Sequence, residues 1–299
     1  MPSPIAHDGQ LFRRILVPTD LGPLSEVVYR HGLRLALGGV RGGAGARGPG
    51  REGLFVLVHV AEEGLAVPWT DFPSFRHTAA GWGFCRAEGD RTDVDDLGLQ
   101  TAIVRIDDDA AVPAILSELR QHGPELLVVG NHRHGGLSHW VGHTVSEPVA
   151  RRAGRPTLFL PEGCRSFVDA ATGQVSLRRV LVPVTEHPDP ALGVDATARL
   201  LRTLGVTDAV IFLLHLDEAG TLPRVPLPRE PGWDWRGQVL EGDVVPEILR
   251  IAGQWPADLV VMGTLGHDHT TDDVFGTRTE QVLRAAPCPV LSVPHPSAT

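Results

Sequence analysis

The chain is poor in the features that mark several large protein classes. Of its 299 residues only three are cysteine, Cys85, Cys164 and Cys288, far apart and with no C-x-x-C pair. That argues against a disulfide framework and against a thiolate zinc site. No stretch approaches the roughly 20 apolar residues of a membrane-spanning helix. Met1 to Gln10 lacks the apolar core of a secretory leader. The expectation is a soluble, cytoplasmic protein with no membrane partner. Basic charge is also short: a net charge of −9 and a pI near 5.8 argue against a nucleic-acid binder, which carries a basic face or stripe. There is no Walker lysine, no S-G-G-x-D-S loop and no serine, histidine and acid constellation, so catalysis has the least support of the functions considered.

What is present is length, apolar content and repetition. A chain of this size suits two domains of about 150 residues, and 42% hydrophobic residues suffice for real cores. RRILVP at 13–18 returns as RRVLVP at 178–183, 165 positions on (178 − 13); VPAIL at 112–116 returns as VPEIL at 245–249, and Gly130 as Gly263, both 133 positions on. The register changes because the first half carries more loop, in the Gly/Arg-rich 38–53 and in the connection 61–100. The spacing predicts two domains, 11–162 and 176–296.

Within the second half, apolar and amphipathic runs alternate: 180–184, 190–204, 209–216, 238–240, 244–254, 259–262, 277–285 and 290–293. Asp189 and Pro190 read as an N-cap and first helical residue; Leu192, Ala196, Leu200 and Leu204 share one face, and Gly205 stops the helix. Apolar runs that do not alternate, separated by helices, predict α/β architecture with an open parallel sheet covered on both faces. Ligands in such sheets sit at the carboxyl ends of strands where the winding reverses.

One stretch carries chemistry. Between the apolar runs at 259–262 and 290–293 stands the frame Gly263, two residues, Gly266, nine residues, Gly276, Thr277. Glycines at fixed spacing after a strand suggest a loop shaped around a ligand. Thr277 followed by Glu280 reads as a capping box that starts a helix, with its free N–H groups aimed at an anion. The bland alternative is that Gly263 ends a strand, Gly276 precedes a helix and Thr277 only caps it.

This frame, with the apolar run before it and APCPVL after it, resembles the C-terminal part of universal stress protein domains, and with the repeat the whole chain resembles a tandem pair of them. In that family G-x2-G-x9-G-[S/T] holds the ribose and phosphates of ATP. The resemblance implies two five-stranded sheets of order 3-2-1-4-5, packed as an intramolecular pseudo-dimer through the terminal strands 157–160 and 290–293, with a further homodimer left open. It places crevices between Asp20 and Gly130 and between Thr185 and Gly263, and implies an adenine nucleotide, ATP or AMP, as ligand.

The two expected sites differ. In the first, Pro18, Thr19 and Asp20 stand where the family places an aspartate that contacts the nucleoside. The 133-residue shift, however, sets Arg133 opposite Gly266 and His143 opposite Gly276. Arg133 either fills the phosphate volume or binds phosphate by another path. Pro148, with Thr144 as cap, is expected to disturb the helix start. In the second half the glycines are intact, and Pro183, Val184, Thr185, Gly263, Thr264, Gly266, Gly276 and Thr277 form the expected nucleotide site. Thr185 replaces the aspartate. Asp268, Asp272 and Asp273 either engage phosphates through Mg2+ or Mn2+ or face solvent. His132, His134, His139, His143, His267 and His269 raise a metal reading, weaker than that of surface histidines. His59 and His215 read as polar strand ends. Three functions stand: a nucleotide-binding stress-response protein, a nucleotide-free scaffold for an unidentified protein partner, and a slow ATP hydrolase.

Overall fold

The computed structural model describes residues 11–41, 53–61, 69, 72–86, 97–108, 110–132, 145–217, 220–264 and 277–295. The first half contains β1 (Arg14–Thr19), α1 (Pro23–Arg41), β2 (Gly53–Ala61), α2 (Phe75–Gly81), β3 (Leu99–Asp107), α3 (Ala111–His122), β4 (Leu126–Asn131), α4 (Ser146–Ala153) and β5 (Thr157–Pro161). The second contains β6 (Arg179–Pro183), α5 (Ala191–Leu204), β7 (Ala209–Leu216), β8 (Trp233–Leu240), α6 (Val244–Gln254), β9 (Leu259–Thr264), α7 (Thr277–Ala285) and β10 (Val290–Pro294).

All ten strands join one sheet in the order β3-β2-β1-β4-β5-β10-β9-β6-β7-β8. Each half has the order 3-2-1-4-5 with parallel pairing throughout, and the halves meet where β5 and β10 run antiparallel, Phe159 opposite Val290 and Thr157 opposite Ser292. The terminal strands therefore pair as expected, and neither is left as an apolar edge open to other chains. Central strands are buried on both faces, which explains their unbroken apolar runs. One core, which includes Tyr29 and Leu33 of α1, Ala79 of α2 and Leu200 of α5, covers one face. The other, with Ile115, Val149, Ile248 and Val282 of α3, α4, α6 and α7, covers the opposite face. Both cores draw on both halves, so the seam is part of the hydrophobic interior.

Polar contacts at the strand starts repeat with the sequence. Glu125 Oε2 accepts from the N–H groups of Arg13 and Arg14; at the equivalent place Asp258 Oδ2 accepts from those of Arg178 and Arg179. The second oxygen of Glu125 holds Arg199 of α5 at 2.7 Å, and that guanidinium lies 4.0 Å above the Phe12 ring. On the other face Arg151 of α4 pairs with Glu280 of α7.

Several local expectations change. The connection 61–100 holds α2, capped by Ser74, whose Oγ accepts from the His77 N–H. The third strand of the second half begins at Trp233, not at 238; as an edge strand its exposure alternates, so it lacks a continuous apolar signature. α5 begins at Ala191, one residue late, with Asp189 Oδ1 accepting the Ala191 N–H at 2.8 Å. Gly205 ends it in the left-handed region, φ 70°, as expected. Pro148 does no damage: α4 starts at Ser146, and a proline in the first turn lacks only an N–H that has no helical partner. α7 begins at Thr277, and Glu280 reaches across the seam to Arg151.

Glu147, next to Pro148 on α4, is nearly buried. Burial, aided by the Glu280 carboxylate and opposed by Arg284 and Arg151, pushes its pKa above the usual 4.5. Because the folded-state value is raised, ionising Glu147 costs stability as pH rises from 4.5 through the folded value. Glu147→Gln should accordingly raise the melting temperature at pH 7, with the gain disappearing below about pH 4, where both states of the parent carry a neutral acid. Thermal unfolding at the two pH values reads this directly.

Candidate nucleotide crevice

In the second half the winding reverses between β6 and β9, which pair as neighbours. A cavity of about 200 Å³ opens at their carboxyl ends. Its floor is Pro183, Val184 and Thr185 from the exit of β6 and Met262, Gly263 and Thr264 from the end of β9. Its walls are the loop His187–Pro190 on one side and Val244 and Ile248 of α6 on the other; Arg278 and Thr279 of α7 close the third side.

Each element is placed by local physics. The β6 exit is fixed by His215, whose Nδ1 lies 2.8 Å from the Val184 carbonyl. The Thr185 hydroxyl donates to the His187 carbonyl at 2.7 Å, shaping the turn that contains the cis His187–Pro188 bond. Asp189 is engaged with the start of α5, so its charge is partly offset by backbone N–H groups. Gly263 matters for space: a Cβ there would stand 3.3 Å from Pro188 Cγ and 3.8 Å from Leu192 Cβ. Thr264 and Thr279 are both buried. The result is an apolar slot of prolines, Val184, Val244, Ile248 and Met262 with a polar end at Thr264, Arg278 and Thr279. It suits a flat apolar ring carrying a polar or anionic group.

The first half has the same frame with different side chains at it. Asp20 Oδ1 accepts from the Gly22 N–H at 2.9 Å and from the Ser25 hydroxyl at 2.6 Å, while Thr19 Oγ1 accepts from the Leu21 N–H. Leu21 adopts φ 63° to make this turn. Leu24 leans on Gly130 so closely that a Cβ there would meet Leu24 Cδ2 at 2.9 Å. His132 stands between two carboxylates, Nε2 at 3.5 Å from Asp20 Oδ2 and Nδ1 at 3.5 Å from Glu162 Oε2. His59 Nδ1 is 2.9 Å from the Thr19 carbonyl, the counterpart of His215, so both histidines hold strand ends.

Of the sequence-derived residues, Pro183, Val184, Thr185, Gly263 and Thr264 converge on the cavity, and Thr277 begins the helix that closes it. Pro18, Thr19, Asp20 and Gly130 gather at the first crevice. Gly266, Gly276, Arg133, Thr144, Asp268, Asp272 and Asp273 lie outside the described residues, as do His134, His139, His143, His267 and His269. Sequence reasoning missed Pro188, Ile248, Met262, Arg278 and Thr279 in the second crevice and His132 in the first. Ile248 carried a usable signal, since it belongs to the repeated VPEIL segment. Among the described residues no group of three or more His, Cys, Asp or Glu side chains is placed to hold a metal ion, and no helix is long and apolar enough to cross a membrane.

Residues 50–161 and 227–294 match the model of the Universal stress protein family. A curated universal stress protein of Methanocaldococcus jannaschii is 26% identical over 151 residues, covering 42% of this chain and 86% of that one. Among solved structures, a universal stress protein from Archaeoglobus fulgidus superposes with a TM-score of 0.57 at 16% identity, covering 94% of this chain and 98% of its own. A putative universal stress protein from Pseudomonas aeruginosa gives 0.54 at 14% identity, with 95% and 94% covered. At these identities the two structures establish the fold, across both halves.

Proposed function

Because the chain belongs to the universal stress protein family, we propose that it is a tandem stress-response protein that binds one adenine nucleotide, ATP or AMP, in the second-half crevice. The observation that carries this reading is the open cavity of about 200 Å³ between β6 and β9; at the other switch point Asp20 is bound into its own turn and lies beside His132, which disfavours a second nucleotide there. The repeats take the extents 11–162 and 176–296. The base lies in the apolar slot between Pro188 and Ile248, and the ribose and phosphates run past Gly263 and Thr264 to the start of α7, where Thr277 and the glycines Gly266 and Gly276 complete the sequence frame. Helix-terminal N–H groups favour such an anion.

The chain contains no lysine, so arginine supplies its side-chain phosphate cations, and among the described residues Arg278 lines the cavity. Charge-assisted hydrogen bonds contribute about 1.5–3 kcal/mol. Arg278→Gln is therefore expected to weaken AMP binding about tenfold or more while leaving adenosine affinity unchanged. Calorimetry with both ligands measures the split. The same titration on the parent protein should give one nucleotide per chain; two equal sites would show that the first crevice opens. Heat-denaturing the purified protein and chromatographing the supernatant tests for nucleotide already carried. The scaffold reading takes support from Thr185, whose hydroxyl is spent on His187 where the resemblance calls for a carboxylate, and it predicts no binding in either experiment.

A further inference from the structure

The seam places two cysteines together. In β5 and β10 the antiparallel register runs Thr157 opposite Ser292, Leu158 opposite Leu291 and Phe159 opposite Val290. Continued outward, it brings Pro161 opposite Cys288. There the first chain turns back: the Cys164 N–H donates to the Pro161 carbonyl at 3.0 Å, and the Arg165 N–H donates to the Pro287 carbonyl at 3.2 Å. The residues beside each cysteine are thus tied by backbone hydrogen bonds, the kind of approach that suits the short Cα separation of a disulfide, about 4.4–6.8 Å. Cys288 is fully buried and Cys164 half-buried.

We propose that Cys164 and Cys288 are a modification site, joined as an intrachain disulfide by a small-molecule disulfide oxidant of the glutathione type. The reactivities divide the roles. Burial pushes the Cys288 thiol up to about 12, opposed by Arg165, and Cys164 is among the groups it senses; Cys288 is a poor first nucleophile. Cys164, the more accessible, attacks one sulfur of oxidised glutathione, breaking its S–S bond and releasing one glutathione thiolate. The Cys288 sulfur then attacks the mixed disulfide at Cys164, gives up its proton to solvent and releases the second glutathione. Two protein thiols are oxidised, one glutathione disulfide is reduced to two thiols, and the two protons end on those thiols. The bond closes the exit of β5 onto the entry of β10, locking the halves at their shared edge. Cys85 takes no part, lying four residues beyond α2 with its Sγ 3.9 Å from the Arg76 carbonyl.

The test uses the full chain, incubated natively with oxidised glutathione, quenched by alkylation and mapped without reductant. The expected result is a linked peptide pair containing Cys164 and Cys288, with thiols titrated after denaturation falling from three to one. A Cys85→Ser variant should give the same link and no remaining thiol. Glutathione retained on Cys164 with Cys288 alkylated, a link that forms only in denaturant, or no reaction at either residue would each overturn the proposal. Nucleotide binding plays no part in this assay, so its outcome stands apart from the function proposed above.

Discussion

Gly263→Val is expected to abolish nucleotide binding, with at least a hundredfold loss of affinity, while the protein stays folded. The glycine sits at the end of β9 with its missing side chain aimed at the cavity wall. A Cβ would already crowd Pro188 Cγ at 3.3 Å, closer than nearly all relaxed contacts, and valine adds two methyl groups beyond it. The cis-proline turn would have to move into the slot, or the methyls would fill it, because packed interiors do not deform continuously. A hundredfold loss corresponds to about 2.7 kcal/mol, a demand met by removing the ring contacts and the close approach of the phosphate together. The overpacking itself should cost about 1–3 kcal/mol of stability, well short of unfolding a chain with two shared cores. Gly130→Ala provides the contrast. It meets Leu24 at 2.9 Å, so it costs stability, yet it lies in the first-half crevice and should leave nucleotide affinity within twofold. Calorimetry with AMP and urea denaturation of both variants separate the effects.

The second large effect concerns the seam. Gly38 of α1 touches α5 of the other half so closely that a Cβ would stand 2.0 Å from the Thr203 carbonyl oxygen, and a Cβ on Gly39 would stand 2.1 Å from the Phe12 carbonyl oxygen. Both obstacles are backbone, which cannot rotate aside as a side chain can. Thr203 is also fixed by its own bonds, its hydroxyl donating to the Arg199 carbonyl and accepting the Phe12 N–H. Gly38→Ala must therefore part α1 from α5 and should lower stability by about 3 kcal/mol, despite alanine's better helix propensity. Gly253→Ala in α6 has nothing within 4 Å of the new methyl and should stabilise by roughly 0.5–1 kcal/mol. Urea unfolding of the pair gives opposite signs if the seam is packed as described; equal signs would show that α1 and α5 do not touch at Gly38.

The parts of this architecture that were legible in the sequence are those set by continuous burial. Strands at the centre of a doubly covered sheet must be apolar at every position, so β1, β4, β6, β7, β9 and β10 announce themselves, and the repeated RRxLVP shows where the second half restarts. Edge strand β8 does not: Trp233 and Trp235 pack inward while Asp234 and Arg236 face solvent, and four such residues read as loop. The floor of the cavity was legible because it is made of strand ends. Its walls were not, because Pro188 enters through a turn shaped by the Thr185 hydroxyl on the His187 carbonyl, and Ile248 arrives on a helix 64 residues from Val184 (248 − 184). The partner of Glu280 was illegible for a similar reason: three residues after Thr277 it fits the local capping rule, yet its carboxylate meets an arginine 129 positions earlier. In the first half Arg133, the conspicuous cation of the sequence, lies outside the described residues, while His132 beside it stands between the Asp20 and Glu162 carboxylates, a pairing across 112 positions (132 − 20) that no local pattern carries.

If one crevice binds nucleotide and the other does not, amide hydrogen exchange of the whole chain with and without saturating AMP should slow in peptides spanning 183–193, 262–264 and 277–280, and stay unchanged in those spanning 18–25 and 130–132. Protection confined to the first-half peptides, or present equally in both halves, would contradict it, and unchanged exchange throughout would leave the chain a scaffold that holds no nucleotide.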